Sequence, residues 1–322
     1  GGDNSKVKLE HPEWFWINRK TGKPGGLINM SIPEAAKWVE DNIRYLIEEY
    51  GIEMFRLDGG SDSGSGPVTS LFCHEKDGFT ETAMTRHYEN AYAMYARLRR
   101  DYPHVVFENC SGGGGRSDLG MVANFTHTWV TDYQKSPNSV RITNGMTMAL
   151  PPECVDRLIC GQHSFLSADL DSQMRHALFG RMTFNMFSPI DAQANPEQMD
   201  AARKYVKLYK EFVRPMHPDS LFYHHTPALP GKNLEGAKGV CVMELDAADA
   251  SRGMLGVFAL VTGGETETHV RLRGVDISAD YEVTFDNCGR TCTMPGIQLA
   301  QEGLFIRLGG SLTSELVLYK KK

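Results

Sequence analysis

Three carboxylates close three short apolar runs in this chain: Asp58 after Met54-Phe55-Arg56-Leu57, Glu108 after Val105-Val106-Phe107, and Asp132 after residues 125–130. Runs of this length and make-up, bounded by polar or glycine-rich stretches, are the pattern of buried strands. Side chains alternate along a strand, so Met54, Arg56 and Asp58 share a face. The guanidinium then stands beside the carboxylate and holds it ionised. Acids at successive strand ends suit a reaction that builds positive charge on a sugar ring. Retaining glycoside hydrolysis needs one carboxylate to attack and a second, roughly 5–5.5 Å away, to protonate the leaving oxygen. Arg56 makes Asp58 the better nucleophile candidate. Asp132, close to Trp129 and facing another acid, suits the proton donor.

Other chemistries fit these residues less well. The run Gly112-Gly113-Gly114-Gly115-Arg116 follows a strand, as a phosphate-cradling loop would, but it lacks both the Gly-Lys-Ser/Thr ending and the Gly-x-Gly-x-x-Gly spacing. His127 has the opposite strand parity to Asp132, which makes it a packed histidine rather than a metal ligand. Cys110 has no adjacent base and is expected to be a small rim residue. No Gly-x-Ser-x-Gly elbow is present for a serine nucleophile. His224 and His225 belong to the later strands and are expected at the surface.

The elements that must position these groups alternate. A strand is expected at 27–30. A helix follows, opened by Ser31 and Glu34 as a capping box with Pro33 early, carried by Ala35, Val39, Ile43, Leu46 and Tyr50, and stopped at Gly51. Then come a strand at 52–58, a Gly/Ser-rich loop at 59–70, a helix at 87–100, and strands at 105–107 and 125–130. Residues 146–150 and 182–187 are further strand candidates, and 199–213 is a helix. This alternation predicts parallel βαβ units. Past about residue 217 the pattern becomes short alternating strands (239–245, 253–261, 268–272, 281–285, 304–308, 315–319), the signature of an antiparallel β-sandwich with its own core. The expected division is therefore 1–217 and 218–322.

The chain has 322 residues and a formal charge of −6 with scattered Lys and Arg, which gives no nucleic-acid footprint. No apolar run approaches the ~20 residues that span a bilayer. Seven cysteines, odd in number and without Cys-x-x-Cys spacing, indicate neither a zinc site nor a disulfide framework. Unpaired thiols suit a reducing, cytoplasmic compartment. The chain opens on Gly-Gly-Asp-Asn, without an initiator Met or a signal peptide, so a cut N-terminus is expected. Homo-oligomerisation is left open.

Phe55-Arg56-Leu57-Asp58, the block from Glu108-Asn109-Cys110-Ser111 through the glycines to Arg116-Ser117-Asp118, and Trp129-Val130-Thr131-Asp132 together resemble the ordered signatures of glycoside hydrolase family 36. His11-Pro12-Glu13-Trp14 and Asn29-x-x-x-Pro33-Glu34 fit the same family. The resemblance implies an N-terminally incomplete (β/α)8 (TIM) barrel followed by a smaller antiparallel β-sandwich domain. It also implies a retaining α-galactosidase that needs no cofactor or metal and acts on an oligosaccharide or glycoside. Asp58 is implied as nucleophile and Asp132 as general acid/base, with Arg56, Cys110, Gly112, Arg116 and Trp129 lining or shaping the sugar pocket. The chain departs from the family where Arg56-Leu57-Asp58 replaces the common Lys-Trp-Asp, and where Lys23 stands in place of an Arg. An α-N-acetylgalactosaminidase, a galactosyl transferase on the same scaffold, and a non-catalytic carbohydrate-binding remnant are the alternatives.

Overall fold

A computed structural model of the chain describes residues 4–17, 21–59, 73–76, 78–160, 168–185, 196–228 and 238–322. Two compact units emerge, Gly1–Asp132 and Tyr133–Lys322.

In the first unit, β1 (Phe15–Ile17) pairs antiparallel with β2 (Pro24–Ile28). Helix α1 (Pro33–Tyr50) buries Ala35, Ile43 and Ile47, while Leu46 and Tyr50 face out. Its expected capping box does not form. Ser31 is drawn back to Asn29, whose Oδ1 accepts from the Ser31 N–H at 3.0 Å and from its hydroxyl at 2.6 Å. Pro33, which has no N–H to satisfy, opens the helix instead. Gly51 ends it in the left-handed region (φ 62°), with its N–H on Ile47 O.

The parallel layer follows: β3 (Met54–Leu57), α2 (Ala83–Asp101), β4 (Val106–Asn109), the short helix α3 (Leu119–Ala123) and β5 (His127–Trp129). β4 lies between β3 and β5, parallel to both. Phe55 and Leu57 pack on a core of Ile43, Ile47, Met94, Tyr95, Leu98, Phe107 and Phe125. That packing turns Arg56, on the alternate parity, to the other face. The Gly/Ser-rich loop expected at 59–70 lies, past Gly59, outside the described residues.

The second unit begins with α4 (Asn138–Met146) and the parallel pair β6 (Val155–Cys160) and β7 (Arg181–Asn185), between which α5 (Leu170–Arg175) intervenes. Residues 146–150, expected as a strand, instead continue the helical turns of α4. Thr143 and Thr147 return their hydroxyls to the carbonyls four residues back, at 2.9 and 2.8 Å, and Leu150 N reaches Met146 O. Of the strand expected at 182–187, residues 186 and 187 lie outside the described residues. Helix α6 (Pro196–Leu208) continues into a π-turn at Tyr209–Val213.

The remaining strands are β8 (Leu221–His224), β9 (Val240–Asp246), β10 (Arg252–Ala259), β11 (Thr266–Val270), β12 (Asp280–Phe285), β13 (Arg290–Pro295), β14 (Leu304–Leu308) and β15 (Ser314–Lys321). Six of them form an antiparallel sheet in the order β8-β9-β10-β15-β12-β13, and β11 pairs with β14. One face of the large sheet, with Val242, Leu255, Val257 and Val317, shares a core with Val270, Leu304, Ile306 and Leu308 of the small sheet. The other face, with Met243, Leu245, Met254 and Phe258, packs on Met174, Leu178, Phe179, Tyr205 and Val213. The sheet's own core is thus only half of what buries it. A sheet covered on both faces explains why β9 and β10 are almost continuously apolar.

His224 and His225 are built into this unit rather than displayed. His224 stacks on Phe222 and lies 3.0 Å from Thr147 Oγ1, and His225 Nε2 is 2.5 Å from Glu244 Oε2. Glu244 also accepts the N–H groups of Arg273 and Gly274. Asp246, two residues on and fully buried, accepts the Tyr319 hydroxyl at 2.6 Å on Oδ1, while its Oδ2 has no hydrogen-bond partner. Burial, and then the nearby Glu244 carboxylate, push the Asp246 acid well above the ordinary carboxylate range. The folded state therefore holds a proton that the unfolded chain releases. The stability linked to it is full below the unfolded pKa and is lost as pH rises towards the folded one. Asp246→Asn keeps the shape without that proton. Its melting temperature should gain on the wild type as pH goes from 5 to 8; a constant difference across that range would contradict the assignment.

Candidate active site

The parallel register sets two rows of side chains on one face of β3, β4 and β5. In the lower row Arg56 pairs with Glu108, and Glu108 with His127. Arg56 Nη1 donates to Glu108 Oε1 at 2.5 Å, and His127 Nε2 lies 2.7 Å from Glu108 Oε2. Glu108 is 2% exposed. Its burial opposes ionisation, but His127 and Arg56 outweigh it and leave the carboxyl below its usual range.

Two residues on, strand parity puts Asp58, Cys110 and Trp129 on the same face as the lower row. Arg56 ties the rows together. Its Nε and Nη2 donate to Asp58 Oδ2 at 3.2 and 3.0 Å, Nη2 also lies 3.1 Å from Cys110 Sγ, and the guanidinium carbon sits 4.3 Å from the centre of the Trp129 ring. Asp58 Oδ1 accepts the Gly59 N–H at 2.7 Å. Partial burial works against the Asp58 charge, yet the Gly59 N–H, the Cys110 thiol and Arg56 together hold its carboxyl below the ordinary value. Burial pushes the Cys110 thiol up to about 11, so it stays a neutral donor at neutral pH. Trp129 Nε1 donates to Asp132 Oδ1 at 2.9 Å, and Asp132 itself is exposed. Asp58 and Asp132 are thereby joined through Arg56 and Trp129.

The glycine run sets the height of Asp132. Gly113 has φ +82°, and a Cβ there would stand 2.7 Å from the Asp132 N. A Cβ on Gly114 would run into Val130 O. Only bare backbone lies this close to the strand end. Within the loop, Ser111 N donates to Gly113 O and Gly115 N to Ser111 O, so these N–H groups turn inward rather than towards a phosphate. Arg116 is a clamp: one guanidinium nitrogen bonds both Gly59 O, at 3.0 Å, and Cys110 O. Gly112 is exposed at the loop tip with φ +51°.

Of the residues singled out from sequence, Arg56, Asp58, Cys110, Trp129 and Asp132 form one chain of direct contacts. Arg116 joins it through backbone carbonyls, and Gly112 is on the loop beside it. Sequence reasoning missed the Glu108–His127 pair as the backing of Arg56. The signal was there in parity, since Glu108 precedes Cys110, and His127 precedes Trp129, by two residues each.

The fold recurs in solved α-galactosidases. The enzyme from Lactobacillus brevis superposes with a TM-score of 0.79 at 20% identity, over 99% of this chain and 42% of that one. The GH36 α-galactosidase AgaA from Geobacillus stearothermophilus gives 0.78 at 21%, over 99% and 43%, and related AgaA structures hold stachyose and raffinose. In sequence, the Escherichia coli α-galactosidase is 27% identical over 219 residues, which is 66% of this chain and 29% of that protein. AgaA is 22% identical over 291 residues, 87% of this chain and 37% of its own length. The chain thus spans well under half the length of these curated relatives. The melibiase family model matches residues 2–217, and the chain belongs to that family.

Proposed function

We propose that this chain carries the catalytic carboxylates of a retaining α-glycosidase acting on terminal α-galactosides, with its parallel strands part of a (β/α)8 barrel. The observation that supports the reading is the contact chain in which Asp58, ionised on Arg56 and the Gly59 N–H, is linked through Arg56 and the Trp129 ring to Asp132, which Trp129 holds. In the first step Asp58 attacks the anomeric carbon from the β face, and the glycosidic bond breaks as its oxygen takes the proton of Asp132. In the second, Asp132 accepts a proton from water, which displaces Asp58 from the same face that the aglycone left. Two inversions give net retention. Cys110, a neutral donor against Asp58, and the Arg56–Trp129 stack line the space beside the nucleophile. The galactoside-like ligands of the related AgaA structures, stachyose and raffinose, support this substrate class.

Asp58→Gly in the full-length protein should abolish turnover of aryl α-galactosides, and added azide should restore part of it with a β-glycosyl azide as product. Undiminished turnover in the variant would sink the assignment. Asp132→Ala should slow substrates with poor leaving groups far more than activated aryl galactosides, by something like the ~10²–10⁴-fold contribution of general acid catalysis. Equal losses on both would move the acid elsewhere.

A further inference from the structure

We propose that Glu108, gripped by His127, is a positioning residue for the nucleophile, fixing the plane of the Arg56 guanidinium and taking up its charge. This rests on the reading of Asp58 as nucleophile. The guanidinium is flat, with five N–H groups in a fixed fork. One edge is engaged by Glu108 from inside the unit, and the opposite edge is offered to Asp58 and Cys110. The face rests on Trp129. Were Nη1 without its buried partner, the group could turn about its own bond to the chain and carry both Asp58 and Trp129 contacts with it.

Charge supplies the second half of the case. The Glu108 side chain is 3% exposed and that of Asp58 48% exposed, so the Arg56–Glu108 pair is screened far less by solvent than Arg56–Asp58. A bare cation 3.0 Å from the nucleophile would hold its electrons too firmly and would repel the positive charge growing on the sugar ring. With Glu108 the pair is formally neutral, and the negative charge facing the sugar is that of Asp58. In the first unit, the charged and titratable groups tied to Asp58 directly or through Arg56 include Arg56 from β3, Cys110 and Arg116 from the end of β4 and the loop after it, Glu108 with His127, and Asp132 through Trp129.

Glu108→Gln removes the charge and keeps the length; His127 can change tautomer to accept the amide N–H. Measured on the full-length protein, kcat should fall because the Arg56 charge is no longer taken up, with KM little changed. With less negative charge nearby, Asp58 ionises more easily, so the acid limb of kcat/KM should move to lower pH. Glu108→Asp keeps the charge but shortens the arm, and should lose kcat with the acid limb in place. Glu108→Gln with wild-type kcat and an unmoved limb, or Glu108→Asp with wild-type kcat, would overturn the proposal. Asp58→Gly with azide is run alongside. Failure of rescue would remove the reading of Asp58 itself, whereas rescue combined with silent Glu108 variants would remove this inference alone.

Discussion

Arg56 is the constraint on which the site depends. A single planar cation touches both Asp58 and Glu108, approaches the Cys110 sulfur, and lies on the Trp129 ring. Each contact fixes it in a different direction, so the group has little freedom once all four are made. The strand beneath supplies the rest. Phe55 and Leu57 bind β3 to the core through the alternate face, and the parallel register to β4 brings Glu108 level with Arg56. Arg56 thus links fold to chemistry: packing of the apolar face sets the height and tilt of the guanidinium, and the guanidinium sets the carboxylate.

The second constraint is close approach of backbone to backbone. The glycine run lies against residues 130–132 because nothing larger than hydrogen fits there. Arg116 and Ser111 then hold Gly59 O from the other side, at 3.0 and 3.1 Å. Asp132 and Asp58, which follow different strands, are held by opposite flanks of one loop. A substitution in that loop would therefore act on both carboxylates without touching either, a coupling through geometry rather than charge.

Much of this was legible in the sequence, and the unread parts have physical reasons. Apolar runs ending on an acid were visible because the strands are short and their ends abrupt, and parity alone put Arg56 beside Asp58. Parity put Glu108 on the face of Cys110, but its pairing with Arg56 was not visible, because that depends on the register between strands separated by about fifty residues. Strand β6 was hidden by Asp156 and Arg157 in its middle, both fully or nearly fully buried. Helix α4 was hidden by Val140, Ile142, Thr143, Asn144 and Gly145, all weak helix formers; burial of Val140, Thr143 and Asn144 holds it instead, with the Thr143 hydroxyl satisfied by Ser139 O. The strands of the large antiparallel sheet begin at Leu221, and that sheet uses the helices before it as one of its two covers.

The most direct test of the account is the ionisation of Asp58 when Arg56 is removed. Arg56→Met keeps bulk against Trp129 and removes the charge and every donor. The pH dependence of kcat/KM in the full-length protein, followed from about pH 3 to 8 with an activated aryl α-galactoside, reports the free enzyme's essential carboxylate. With Arg56 gone, the guanidinium that sits against the carboxylate no longer opposes its partial burial, and the Gly59 N–H and the Cys110 thiol remain. The acid limb should therefore move to higher pH, with a large loss of kcat. An acid limb that stays where it is in the wild type would show that Asp58 does not depend on Arg56, and the account would fail at its centre.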